Sequence, residues 1–152
     1  MTASTATVPA AASQAHPAND AWEALLSAHA SLIKRFAAED FWSDTTMREY
    51  DVLYTLSKCP EPVRLAELNK HVLLSQPALS RMVDRLADRG FIARQADPAD
   101  GRGVLLGLSE KGRALQRKIG RQHARGVARA MTTELTPGEL RQLAAICRKL
   151  AR

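Results

Sequence analysis

Four side chains within about three helical turns carry groups able to read a DNA groove: Gln76, Ser80, Arg81 and Arg85. Glutamine matches the paired donor and acceptor of adenine, arginine matches guanine, and serine serves either a base edge or a phosphate. Ser75 stands immediately before them as a helix N-cap, and Pro77 falls in the first turn, where its missing N–H is harmless. Farther along, Arg102 sits between Gly101 and Gly103 in a loop rich in Pro, Gly and Asp. A loop-borne arginine reads the width of a minor groove rather than base identity. Asp100 would repel phosphate, so it is read as the acid that holds the Arg102 guanidinium in place.

The rest of the composition agrees with an anionic partner and removes other classes. The chain has 152 residues and a formal net charge of +6. Sixteen of its 22 cations are arginine, whose planar fork suits phosphate and base edges better than a lysine point charge. Glycine-rich phosphate loops, zinc-protease spacing and nucleophile-elbow signatures are absent from the sequence, so it is not expected to be an enzyme. Cys59 and Cys147 make neither a disulfide framework nor a CxxC metal site. The histidines, His16, His29, His71 and His123, include no i,i+4 pair, so neither a metal nor any other cofactor is expected. No apolar run approaches the ~20 residues that span a bilayer, and the first residues lack the pattern of a secretory signal. A cytoplasmic location without membrane contact is expected.

These groups need elements to hold them. Residues 1–18 contain no Asp, Glu, Lys or Arg and read as a disordered tail. Trp22, Leu25, Leu26, His29, Leu32, Ile33 and Phe36 then recur at spacings of three and four, predicting a helix capped by Asn19 or Asp20. So wide a stripe must be covered, and a helix of a second chain is the simplest cover. Thr46 and Glu49 form a capping box that starts a second helix, which stops before Pro60 and Pro62. A short third helix covers about 65–71, and Val72–Ser75 turns into the fourth. There Leu79, Met82, Val83 and Leu86 face inward and Gly90 ends the helix. Phe91–Gln95 and Val104–Leu108 flank the Asp97–Gly103 loop as a hairpin. Ser109 caps a long helix to about Glu134, and Thr136 with Glu139 caps a last one. Its face of Leu140, Leu143, Ala144, Cys147 and Leu150 reads as inward. Arg113, Arg117, Arg121, Arg125 and Arg129 recur every four residues on the long helix, a ridge that drifts ~40° per step. From Arg121 onward a structural use is expected.

A short helix, a turn and a capped polar-faced helix followed by a hairpin make a winged helix-turn-helix. The stretch from Arg64 to Gly112 resembles the MarR (multiple antibiotic resistance regulator) family. It does so in Arg64–Leu68, Ser75–Arg81, Val83–Leu86, Arg89–Gly90, Asp97–Pro98, Asp100-x-Arg102 and Leu108-Ser-x-x-Gly112. The segment Gly101-Arg102-Gly103 departs from it, because many relatives carry a second basic residue beside the wing arginine. The resemblance implies a mainly α (α+β) fold, with one domain over 19–152 and a DNA-binding lobe at about 46–109. It further implies dimerisation helices at about 19–40 and 110–152, with Trp22, Leu25, Leu26, Leu32, Ile33, Leu140, Leu143, Cys147 and Leu150 in the interface. The partners it implies are a second copy of the chain and double-stranded DNA carrying an inverted repeat. The function implied is transcriptional regulation, as a repressor released by a small aromatic or anionic effector. Trp22 and His29 would line an effector pocket, and Asp51 and Arg81, with Trp22, partially match the Asp/Arg pair that links pocket and recognition helix in urate-responsive members. Two alternatives stand beside this: a cysteine-based redox response through Cys59, and sequence-indifferent architectural DNA binding.

Overall fold

Side-chain caps place most of the helix starts. The Thr46 hydroxyl accepts from the Glu49 N–H while the Glu49 carboxylate accepts from the Thr46 N–H, so two otherwise orphaned donors at the start of α2 (Met47–Lys58) are satisfied together. Ser75 caps α4 (Gln76–Asp88), Ser109 caps α5 (Glu110–Glu134), and a second capping box of Thr136 and Glu139 opens α6 (Pro137–Leu150). Gly90 closes α4 at φ +77°, the left-handed position that glycine adopts without a Cβ penalty.

The computed structural model describes residues 10–152, with side chains from residue 16. The chain divides after Ala38 into two compact units. The first contains α1 (Ala10–Ala37). This helix starts well before the expected cap at Asn19 or Asp20. Part of the expected tail, 1–9, lies outside the described residues, but 10–18 is helical. Its alanines are the strongest helix formers and outweigh Pro17, which lies inside the helix. Trp22, Leu25, Leu26 and Ile33 are exposed along α1.

In the second unit a 3₁₀ turn, Trp42–Asp44, leads into α2. Strand β1 (Val63–Arg64) and helix α3 (Leu65–Asn69) follow, then α4. The hairpin is formed by β2 (Ile92–Asp97) and β3 (Asp100–Leu108). The sheet is antiparallel with order β1-β3-β2. Leu53, Leu56, Leu68, Leu79, Leu86 and Ile119 join α2–α5 in one core with Phe91, Ile92, Leu106 and Leu108 of the hairpin region. Each such leucine removed from water contributes about 1.5–3 kcal/mol. At the base of the hairpin, Gly112 lets α5 lie directly on backbone: a Cβ there would stand 2.0 Å from the Phe91 carbonyl oxygen.

The inward face expected of α6 is not core. Among the described residues none of α6 is buried, and Leu143, Ile146, Cys147 and Leu150 are exposed. The helix is amphipathic, and the described residues of its own unit leave its apolar face exposed. Among the described residues no helix is long and apolar enough to cross a membrane.

Candidate nucleic-acid interface

The apolar side of α4 decides what its polar side presents. Leu79, Met82, Val83 and Leu86 are buried, which turns Gln76, Pro77, Arg81 and Arg85 fully outward and leaves Ser80 half-buried. The turn before the helix is fastened at both ends. Asn69 Nδ2 donates to the Leu74 carbonyl at 3.4 Å, and the Ser75 hydroxyl accepts from the Ala78 N–H at 3.4 Å. Of the two exposed acids of α4, Asp84 is neutralised by the Arg94 guanidinium of β2, and Asp88 is the last residue of the helix. Arg89 points away from the face, to the Glu49 carboxylate and the Asp44 carbonyl, and lies over the Phe91 ring. Among the described residues no ion pair or side-chain hydrogen bond engages Arg81 or Arg85, so no acid within the lobe anchors Arg81. Two adjacent guanidiniums therefore keep all their N–H donors for an external acceptor.

The wing differs from its expected form. Its strands run into the predicted loop, so that Pro98 and Ala99 make the turn and Arg102 lies within β3 rather than at the tip. Arg102 is exposed, and its guanidinium has no ion-pair partner among the described residues. Asp100 does not hold that guanidinium. Asp100 Oδ1 accepts the Arg102 backbone N–H at 3.2 Å, and Oδ2 lies 3.7 Å from Arg64 Nη2. Strand pairing is the reason, because it folds the Asp100 side chain back over the hairpin toward β1.

Two residues outside the expected site organise this turn. The Asp97 side chain is only 7% exposed and receives Arg64 at 2.7 Å from Nε and 2.5 Å from Nη2. The Ala99 N–H, first, and the Arg64 guanidinium, second, hold its carboxyl below the usual aspartate range. The available signal is Asp followed by Pro, a local turn motif. Arg64, 33 positions away, leaves no such signal.

The expected effector residues are divided between the two units. Trp22 and His29 are exposed in the first unit. In the second, Asp51 lines a groove of about 700 Å³ between α2 and α3, together with Tyr54, Lys58, Cys59, Glu67 and His71. Arg81 does not line it, and no ion pair joins Asp51 to Arg81. Burial pushes the Asp51 carboxyl up, and His123 opposes that. Cys59 is half-buried, and its thiol donates to the Thr55 carbonyl at 3.5 Å, across the end of α2. The arginine ridge of α5, Arg113 to Arg129, is exposed throughout. Among the described residues no group of three or more His, Cys, Asp or Glu can hold a metal ion.

Residues 45–104 match the model of the MarR family. The multiple antibiotic resistance protein MarR of Salmonella typhimurium is 31% identical over 107 residues, covering 70% of this chain and 74% of that protein. The chain belongs to the MarR family. Like that family's members it is a DNA-binding transcriptional regulator by descent, and its winged helix is the family's fold. Among solved structures, Sco3205 of Streptomyces coelicolor, a MarR family regulator in complex with DNA, has a TM-score of 0.76 at 25% identity, over 97% of this chain and 90% of that one. BpsR of Bordetella bronchiseptica, whose DNA binding is regulated by 6-hydroxynicotinic acid, has a TM-score of 0.74 at 26% identity, over 85% and 91%.

Proposed function

We propose that this MarR-family protein is a homodimeric, sequence-specific repressor that acts in the cytoplasm and is released from its operator by a small aromatic or anionic molecule. The observation that carries DNA reading is the outward pair Arg81 and Arg85, unneutralised beside Gln76 on a helix whose other face is core. Arg102 supplies a second, wing-borne contact. Ser75, Pro77 and Ser80 place the start of α4 against the backbone, and Asp100 acts on the wing backbone. Dimerisation is supported by the apolar faces of α1 and α6, which stand exposed among the described residues. Two-fold symmetry then asks for an inverted repeat with half-sites ~10 bp apart.

Effector binding is supported by the groove that Asp51 lines, which has the size of small-molecule sites, about 300–1,000 Å³. An effector releases DNA only through its differential affinity for the bound and free conformations. The same groove carries Cys59, so a thiol modification there is the second reading.

Selection from random DNA followed by competition tests the proposal. The selected operator is expected to outcompete random DNA by at least ~10³-fold, and Arg81→Ala is expected to relax that preference by about 1–3 kcal/mol. Equal displacement by random DNA would establish an architectural protein instead. A screen of aromatic carboxylates for loss of operator binding tests release. Release by diamide that Cys59→Ser abolishes, with no carboxylate active, would replace the effector reading with the redox one.

A further inference from the structure

We infer that Arg64 is a positioning residue for DNA binding, which sets Arg102 by clamping the two aspartates of the wing turn. This rests on the reading that Arg102 meets DNA. Asp97 and Asp100 are register partners that bracket the turn, and each uses its two oxygens in the same way. Asp97 Oδ1 accepts the Ala99 N–H at 2.9 Å, and Asp100 Oδ1 accepts the Arg102 N–H at 3.2 Å. Both Oδ2 atoms face Arg64, at 2.5 and 3.7 Å from Nη2. The guanidinium therefore orients the acids whose other oxygens pin the backbone at Ala99 and at Arg102 itself.

Arg64 is well placed to transmit a position. It is the last residue of β1, paired with Leu105 of β3, and also the N-cap residue of α3. One side chain thus joins the start of the helix-turn-helix to the far end of the wing. Its own side chain is half exposed while that of Asp97 is nearly buried. The nearly buried carboxylate needs the cation more than the cation needs burial. The strand beyond Arg102 is tight on the same acid: a Cβ at Gly103 would lie 3.0 Å from Asp97 Cβ. Lysine is a poor substitute for Arg64, because its one nitrogen cannot stand at both the Nε and the Nη2 positions that hold Asp97 and approach Asp100.

The test is a double-mutant cycle on the full-length protein with its selected operator, read as affinity against salt concentration. Arg102→Ala is expected to lower the slope of log K against log salt by about 0.9, one phosphate contact. Arg64→Gln and Arg64→Lys are each expected to lower it by a similar amount, and Arg64→Gln combined with Arg102→Ala by no more than Arg102→Ala alone. Asp100→Asn, at an exposed position, repeats the cycle should the Arg64 variants fail to fold. It removes the charge that faces Arg64 and is expected to weaken binding only while Arg102 is present. Additive losses in these cycles, or an Arg64→Lys protein that binds like wild type, overturn the positioning role. An Arg102→Ala slope equal to wild type overturns the wing–DNA reading itself, and the positioning role with it.

Discussion

The wing offers a clean perturbation, because its two glycines stand in opposite surroundings. Nothing lies within 4 Å of a Cβ built on Gly101, whereas one built on Gly103 meets Asp97 Cβ at 3.0 Å and the Asp100 carbonyl oxygen at 3.2 Å. Neither glycine has a positive φ, so neither is required for backbone conformation. Gly101→Arg is therefore expected to fold as well as wild type, with up to about 1 kcal/mol of gain from a less flexible unfolded chain. It places a second basic residue beside Arg102. If the wing end approaches phosphate, one added contact steepens the slope of log K against log salt by about 0.9, so the fourfold step from 50 to 200 mM costs about 3.5-fold more affinity than in wild type. Gly103→Ala gains the same unfolded-state benefit but crowds Asp97, and overpacking costs about 1–3 kcal/mol. It is expected to lower the unfolding midpoint and weaken DNA binding without a steeper slope. Fluorescence anisotropy on the operator across a salt series, with thermal unfolding of each variant, measures both. A Gly101→Arg protein that folds normally and keeps the wild-type slope would refute the placement of the wing against DNA.

Two further perturbations address the frame that carries the wing. Gly112→Ala adds about 1 kcal/mol of helix propensity but sets a methyl group 2.0 Å from the Phe91 carbonyl oxygen. Overpacking against backbone costs about 1–3 kcal/mol, so a net loss of up to about 2 kcal/mol is expected, which lowers Tm by up to roughly 4–8 °C; a raised Tm would show that α5 does not lie so close. Asp97→Asn tests the depressed carboxyl. An acid held below its unfolded value of about 3.9 stabilises the fold above that pH, and the stabilisation is lost as pH falls through the folded value. Wild type is therefore expected to lose stability more steeply than Asp97→Asn as pH falls below about 4. Parallel urea midpoints for the two proteins across that range would contradict the shift.

Features that one segment closes on itself are legible in the amino-acid sequence. The caps at Thr46, Ser75, Ser109 and Thr136 each join a side chain to an N–H three residues on, and Gly90 answers a local backbone need. The inward set of α4 follows from helical period alone, and with it the outward set of Gln76, Arg81 and Arg85. Partners chosen by strand pairing are not legible. β1 is two residues long, too short for a period, yet it brings Arg64 to Asp97. Sequence proximity assigns Asp100 to the Arg102 guanidinium, but register gives it the Arg102 backbone N–H and turns its other oxygen toward Arg64. The Asp51–Arg81 pair fails similarly, because sequence says which acids and bases exist and packing says which ones meet.

The apolar faces of α1 and α6 mark a different boundary. Their periodicity states that Trp22, Leu25, Leu26, Leu143 and Leu150 are to leave water, and it is silent about which chain they enter. Cys147 shows the consequence: a small apolar residue on such a face reads as core, yet it is exposed in the single chain. An amphipathic helix inside a monomer and one across an interface obey the same rule of period, since both hide one side from water. Only the packed chain separates them, by showing which faces its own residues fail to cover. Among the described residues, large apolar side chains of α1 and α6 stand exposed, while α2–α5 share one core. A lobe that holds its own core is expected to keep its winged-helix geometry whatever covers the apolar faces of α1 and α6. If a second copy covers those faces, as proposed, their arrangement sets the distance between two lobes, the variable an inverted repeat measures.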